Sequence, residues 1–179
     1  MTVPALVARA WAAAADLGFE RSCRDDDGRL LHVLAGRRSI ERVAEIGTGA
    51  GVGTAWLASA LPPGVPVFSA EVDSRLAQAA AELFADDPDV HVLEGDWRVA
   101  LLPHAPFDLL FVDGGGAKDD PDAVLGIATP GATIVMDDFS TDWNGPDARR
   151  ERWFEHPRVV AVELGTGAGA LAIVAIVRR

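Results

Sequence analysis

Residues 43–53 read VAEIGTGAGVG: a short apolar run interrupted by one acid, Glu45, and then glycine at every second position, Gly47, Gly49, Gly51 and Gly53. The apolar run has the make-up of a buried strand. Glycines after it let the backbone take turns closed to other residues and pass close to a ligand. Behind them, the apolar composition predicts a helix over Thr54–Leu61 whose first N–H groups face the loop. Strand, glycine-rich turn and helix in succession make a nucleotide-binding unit in open α/β sheets. The dinucleotide fingerprint GxGxxG is not met. From Gly47 and Gly49 its third glycine falls on Val52, and from Gly49 and Gly51 it falls on Thr54.

Further along the chain the same grammar repeats. VPVFSAEVD reads as a second strand ending in Glu71, about twenty residues past the glycines, where a carboxylate in a βαβ unit reaches the ribose hydroxyls of a nucleoside. DVHVLEGD is a third strand, ending at Gly95, Asp96 and Trp97. FDLLFVDGGG is a fourth, ending at Asp113, and PGATIVMDDF a fifth, ending at Asp137 and Asp138. Helices are expected between them at Ser74–Phe84, Arg98–Leu102 and around Asp120–Ile127. Strand and helix in alternation imply a doubly wound, mostly parallel sheet with helices on both faces.

The ends of the chain complete that sheet. PALVARAWAAAADLG predicts an amphipathic helix over Pro4–Leu17 with Thr2 as cap and Gly18 as stop, and a second helix is expected over Gly28–Ala35. It lacks the basic start of a signal peptide. At the other end VVAVEL and ALAIVAIV are separated only by GTGAG, too little chain for a parallel crossover, so they form an antiparallel hairpin. This second GTGAG, Gly165 to Gly169, repeats residues 47–51 letter for letter, yet no helix comes after it. It is read as a hairpin loop and not as a second binding site.

At 179 residues the chain is expected to form one domain, with N-terminal helices over 1–42 and the sheet core over 43–179. A net charge of -11 lacks the basic footprint of a nucleic-acid binder and argues against anionic membranes. No apolar run is long enough to span a bilayer. The lone cysteine, Cys23, excludes an internal disulfide and accords with a cytoplasmic protein. All basic residues but Lys118 are arginine.

With these residues in hand, the loop resembles motif I, ExGxGxG, of the class I S-adenosylmethionine (SAM) dependent methyltransferases, in Glu45, Gly47, Gly49 and Gly51. From Gly28 to the C-terminus the spacing is similar to the small-molecule O-methyltransferases that include the catechol and caffeoyl-coenzyme A enzymes. The resemblance implies a seven-stranded Rossmann-like sheet. It also implies a SAM site: Glu45, Gly47, Thr48, Gly49, Val52, Gly53 and Thr54 at the methionine and ribose, Glu71 and Val72 at the ribose and adenine, Gly95, Asp96 and Trp97 at the adenine, and Asp113 beside them. A small-molecule acceptor and a homodimer are the expected partners. The alternatives are a catalytically silent SAM-binding protein and, on a similar sheet, a nicotinamide-dependent oxidoreductase.

Metal-dependent members complete their site with an Asp-Asn pair after the fifth strand, where this chain has Asp137 and Asp138. With Asp113 these offer hard oxygens to magnesium or another divalent cation. Catechol-type members also carry a lysine base three residues after the first metal aspartate, a place taken here by Gly116. Lys118, two residues on beside Asp119 and Asp120, is expected in a solvated charged loop, which leaves Asp113 and Lys118 as the weak catalytic candidates. His32, His91, His104 and His156 are scattered and read as structural. In the insert FSTDWNGPDARRERWFEHP, Trp153 is expected in a helix packed on the sheet and Trp143 against the acceptor.

Overall fold

A computed structural model describes residues 2–114, 116–142, 145–167 and 169–179. Two helices, α1 (Ala5–Asp16) and α2 (Asp25–Ala35), precede the first strand. Then come β1 (Val43–Ile46), α3 (Val52–Ala58), β2 (Val67–Glu71), α4 (Ser74–Leu83), β3 (Val90–Glu94), α5 (Trp97–Ala100), β4 (Phe107–Val112), α6 (Pro121–Leu125) and β5 (Ala128–Ser140). The chain closes with α7 (Ala148–Phe154), β6 (Val159–Gly165) and β7 (Ala170–Val177). The seven strands form one sheet in the order β3-β2-β1-β4-β5-β7-β6. The first five strands run parallel, and β7 lies antiparallel to both β5 and β6, which gives the reversed end expected of the hairpin.

Alternate strand residues go to opposite faces, as a pleat requires. Ala44, Leu110, Val112 and Ile134 pack with Trp97, Val124 and Trp153 from α5, α6 and α7. Val43, Leu109, Phe111 and Val135 pack with residues of α1, α2, α3 and α4 on the other side. Strands buried on both faces explain why the sequence shows near-continuous apolar runs and no alternation.

Local chemistry sets the helix ends. Asp73 caps α4, its Oδ1 accepting from the N–H groups of Arg75 (2.9 Å) and Leu76 (3.2 Å). Gly18, at φ +64°, ends α1, and the N–H of Phe19 returns to the carbonyl of Ala14 at 2.9 Å. The expected Thr2 cap is not there. Pro4 occupies the N-cap position with no side-chain hydrogen bond, its φ of -59° already suited to the helix it opens. Helix α3 starts two residues before the expected Thr54 because Gly51, at φ +87°, is its N-cap.

Gly28 of α2 packs directly against Trp56 of α3. A Cβ there would lie 2.1 Å from Nε1 of Trp56, which is fully buried. Gly28→Ala is therefore expected to destabilise the fold by about 1–3 kcal/mol, the usual cost of overpacking a core. Urea unfolding followed by tryptophan fluorescence measures it, and an unchanged midpoint would show that Trp56 has room to move.

Candidate functional site

The strand order reverses between β1 and β4, and the loops leaving these two strands border a cleft of about 510 Å³ at the carboxyl edge of the sheet. The two loops abut. A Cβ on Gly47, whose φ is +96°, would sit 3.0 Å from the backbone nitrogen of Gly114. Only glycine allows this closeness together with that backbone conformation.

Two carboxylates hold the glycine loop in shape. Glu45, 1% exposed, accepts hydrogen bonds from Ser69 Oγ of β2 at 2.5 Å and from Thr54 Oγ1 of α3, so a single acid ties β1 to both neighbours. Its burial pushes its pKa up to about 8, against the pull of those two hydroxyls. Glu71, at the end of β2, accepts from the Gly49 N–H at 2.8 Å through one oxygen and from the Asp73 N–H at 3.0 Å through the other. It thus fixes the loop and the start of α4 together. Thr48 joins the network through a 2.6 Å bond between its hydroxyl and that of Ser69.

Of the residues expected at the cofactor, Glu45, Gly47, Thr48, Gly49, Val52, Gly53, Glu71, Val72, Gly95, Asp96, Trp97 and Asp113 all line the cleft. Thr54 does not. It is fully buried one layer below, where it donates to Glu45 and contacts Ser69. Trp97 is mainly a core side chain, 4% exposed, with the Arg98 guanidinium 4.6 Å from its ring centroid, so it forms a wall of the cleft.

The other end of the cleft is acidic. One oxygen each from Asp113, Asp137 and Asp138 lies within 4.8 Å of the others. Consecutive residues of a strand point to opposite faces, yet Asp137 and Asp138 both line the cleft. The reason is a register shift in the β5·β7 pairing between Met136 and Phe139, with Asp138 at φ +62°. Such a bulge re-aims side chains. Burial and the charge of Asp137 raise the Asp113 pKa to about 9, and burial raises Asp137 as well.

Lys118 is not in a solvated loop. It is 8% exposed, and its Nζ donates to the Asp137 backbone carbonyl and to Asp137 Oδ1, both at 2.9 Å. It lies 3.6 Å from Asp113 Oδ1 and 3.9 Å from Asp138 Oδ2. Gly116, at φ +68°, starts a short 3-10 turn over Ala117–Asp119 that folds back onto the sheet, and Trp153 Nε1 fixes it by donating to the Lys118 carbonyl at 2.8 Å. The acidic neighbours turn away: Asp119 pairs with Arg149 at 2.8 Å, and Asp120 caps α6.

One wall of the cleft has no counterpart among the expected residues. Phe19, Glu20, Arg21, Ser22, Cys23 and Arg24, between α1 and α2, cover the loop, with the Phe19 ring above Gly49. Arg24 donates to buried Asp27 at 2.9 Å and points toward Asp138 at 3.8 Å. Burial, with nearby carboxylates, pushes the Cys23 thiol up, which favours its neutral form. The only sequence signal for this segment is an aperiodic stretch between the helix stop at Gly18 and the acids that open α2. The four histidines lie away from the cleft; His91 and His104 stack on the two sides of Phe68, for example. Trp153 is fully buried in the core beneath α7, while Trp143 lies outside the described residues.

Residues 44–139, from the first strand to the carboxylate bulge, match the family of methyltransferase domains. The chain is 31% identical over 159 residues to a catechol O-methyltransferase of Mycobacterium tuberculosis, covering 78% of this chain and 71% of that protein. Against a catechol O-methyltransferase of Niastella koreensis it is 28% identical over 136 residues, covering 68% and 59%. Among solved structures, the O-methyltransferase TomG of Streptomyces achromogenes in complex with SAM superposes with a TM-score of 0.81 at 27% identity, over 99% of this chain and 92% of that one. The match thus tracks the strands and loops that build the cleft, and the chain belongs to the methyltransferase-domain family as a class I SAM-dependent methyltransferase related to the O-methyltransferases.

Proposed function

We propose that this protein transfers the methyl group of SAM to a hydroxyl oxygen of a small-molecule acceptor, with a divalent cation at Asp113, Asp137 and Asp138. The observation that carries this reading is one continuous cleft with the clasped glycine loop at one end and three convergent carboxylates at the other. The reaction is an in-line displacement: the acceptor oxygen forms a bond to the methyl carbon as the carbon–sulfur bond breaks, and S-adenosylhomocysteine leaves. Much of the rate then comes from holding the two reactants in line.

The chain's residues divide this work. Glu71, already fixed by the Gly49 and Asp73 N–H groups, keeps lone pairs for a ribose diol, and Gly95 and Asp96 border the adenine end. Glu45 places a buried carboxyl beneath the loop, where the cationic amino-acid end of SAM favours its ionised form. At the far end the donor chemistry fits a hard cation. Three oxygens converge, and burial together with the charge of Asp137 raises the Asp113 pKa to about 9, so the cluster favours a proton or a further positive charge. A bound divalent ion supplies charge that lowers the pKa of an acceptor hydroxyl. Phe19 and its neighbours exclude water from above. A small acceptor is implied by the size of the cleft once SAM occupies most of it.

Three measurements check these assignments. SAM and S-adenosylhomocysteine are expected to raise the melting temperature while NAD does not, and Glu71→Ala is expected to weaken SAM binding by about tenfold to a hundredfold, the loss of charge-assisted hydrogen bonds. Stabilisation by NAD alone would overturn the cofactor assignment. Turnover of a catechol panel is expected to fall on chelation and return with Mg2+, and Asp137→Asn is expected to reduce turnover far more than SAM affinity. Full turnover after exhaustive chelation would remove the cation from the site. The third concerns pH. Glu45 has a folded pKa of about 8 against 4.5 for an unperturbed glutamate, so its burial stabilises the protonated form and stability falls as pH rises between these values. The isosteric Glu45→Gln variant, free of SAM, is therefore expected to gain melting temperature relative to the wild type as pH increases from 5 to 8, with no further gain above. Comparing variant with wild type cancels the other acids, and a constant difference would place the ionisation elsewhere.

A further inference from the structure

Arg24 stands where the covering segment meets the acidic end of the cleft. Its backbone is the N-cap of α2, with its carbonyl accepting the Gly28 N–H at 2.8 Å. Its side chain turns back along the helix, and Nε donates to Asp27 Oδ2 at 2.9 Å. The Asp27 side chain is 1% exposed, its other oxygen has no partner, and Arg24 is the one cation that pairs with it among the described residues. Releasing Arg24 would leave a buried carboxylate unpaired, which is costly. The Nε edge of the guanidinium is therefore fixed. The opposite edge is open. Neither terminal nitrogen has a hydrogen-bond partner among the described residues, and Asp138 Oδ1, 3.8 Å from Nη2, is too distant to be one. The side chain is 44% exposed and lines the cleft. Arg21, the other cation of that lining, is placed differently: its guanidinium lies over the Phe19 ring, 5.9 Å from the centroid, at the glycine-loop end.

We propose that Arg24 determines acceptor specificity, and that the acceptor is an aromatic diol carrying a carboxylate. The inference rests on the proposed O-methylation of a small-molecule hydroxyl. With the hydroxyls at the three aspartates, the ring spans the space beside Asp138 and its carboxylate meets the terminal nitrogens of Arg24. A planar fork of N–H donors takes a carboxylate through two parallel hydrogen bonds, a geometry that fixes orientation as well as charge. Elsewhere the charged lining is acidic apart from Arg21: Glu20, Glu45, Glu71 and Asp96. An anion is therefore repelled from the rest of the cleft, and Arg24 selects one pose of the acceptor. Asp27 is a positioning residue that acts through Arg24.

Acceptors of one shape and different charge test this on the full chain: 3,4-dihydroxybenzoate, its neutral amide 3,4-dihydroxybenzamide, and the cationic 3,4-dihydroxybenzylamine. Two quantities are measured, kcat/KM with SAM and Mg2+, and calorimetric affinity for the protein saturated with S-adenosylhomocysteine. The wild type is expected to favour the benzoate over the amide by about tenfold to a hundredfold in both, the kinetic difference lying mainly in KM. Arg24→Gln is expected to bring that ratio to within about threefold of unity. Arg24→Lys, which keeps the charge but lacks the fork, is expected to retain only part of the preference, and Asp27→Asn to reduce it because the guanidinium is no longer clamped. A wild type that takes benzoate and amide equally, or prefers the amine, overturns the proposal, and that result depends on no variant folding. Equal losses on benzoate and amide in Arg24→Gln overturn it too, since they would tie the side chain to the cation site through Asp138. So does a matching loss of S-adenosylhomocysteine affinity, which would assign Arg24 to the methionine carboxylate. If S-adenosylhomocysteine binds but none of the three acceptors binds or turns over, the aromatic-diol reading fails and this inference fails with it.

Discussion

Crowding of acid at one edge of the sheet is the constraint on which the rest of the structure depends. Strands β1, β2, β4 and β5 deliver Glu45, Glu71, Asp113 and Asp137 to their carboxyl ends, all largely buried. A buried carboxylate without partners is too costly to persist. Glu45, Glu71 and Asp137 are answered in three ways, with Asp113 sharing the Lys118 of Asp137, and each answer shapes part of the cleft. Hydroxyls of Thr54 and Ser69 hold Glu45, and so tie α3 to β1 and β2. Backbone N–H groups hold Glu71, and so set the course of the glycine loop. Asp137 has Lys118, which needs the chain after β4 to fold back, and that in turn needs Trp153 beneath it. The cleft is the space these solutions leave open.

The regular part of the molecule was legible because it rests on composition and spacing. Apolar runs ending in acid or glycine gave β1 to β5 in order, and the short GTGAG connection gave the antiparallel end. Most of the expected cofactor residues line the cleft for the same reason: position at a strand's carboxyl end is set by the sheet itself. Thr54 is the instructive exception. It stands near the start of α3, and on a helix that begins at Val52 its side chain faces Glu45 and the sheet, not the loop above.

The features that the sequence hid depend on local backbone conformation or on contacts between distant residues. Lys118 beside two aspartates looks like a solvated charge run, and nothing in the string shows that Asp119 and Asp120 take Arg149 and Arg98 as partners while the lysine turns inward. The joint orientation of Asp137 and Asp138 depends on a bulge set by pairing with β7, more than thirty residues later in the chain. The covering segment Phe19–Arg24 has no periodicity to read. Its place is fixed by α1 packing against α3 and α4, which lays the connecting chain across the loop.

The repeated GTGAG shows where meaning resides. In both copies the third and fifth letters have positive φ, +53° and +87° for Gly49 and Gly51, +86° and +77° for Gly167 and Gly169. That freedom is shared, but the first letter differs: Gly47 has φ +96°, whereas Gly165 is the last residue of β6 and has no positive φ. The residues C-terminal to each copy differ as well: VGTAWLA forms a helix buried nearly all round, whereas ALAIVAIV pairs with β5 and β6. The first loop also has Glu71, from the neighbouring strand, to accept the N–H of Gly49. In the second, the space over Gly167 is filled by Asp26 of α2, whose Oδ2 would lie 2.5 Å from a Cβ there. Glycine permits a ligand-binding turn, but the helix behind it and the acid beside it make one.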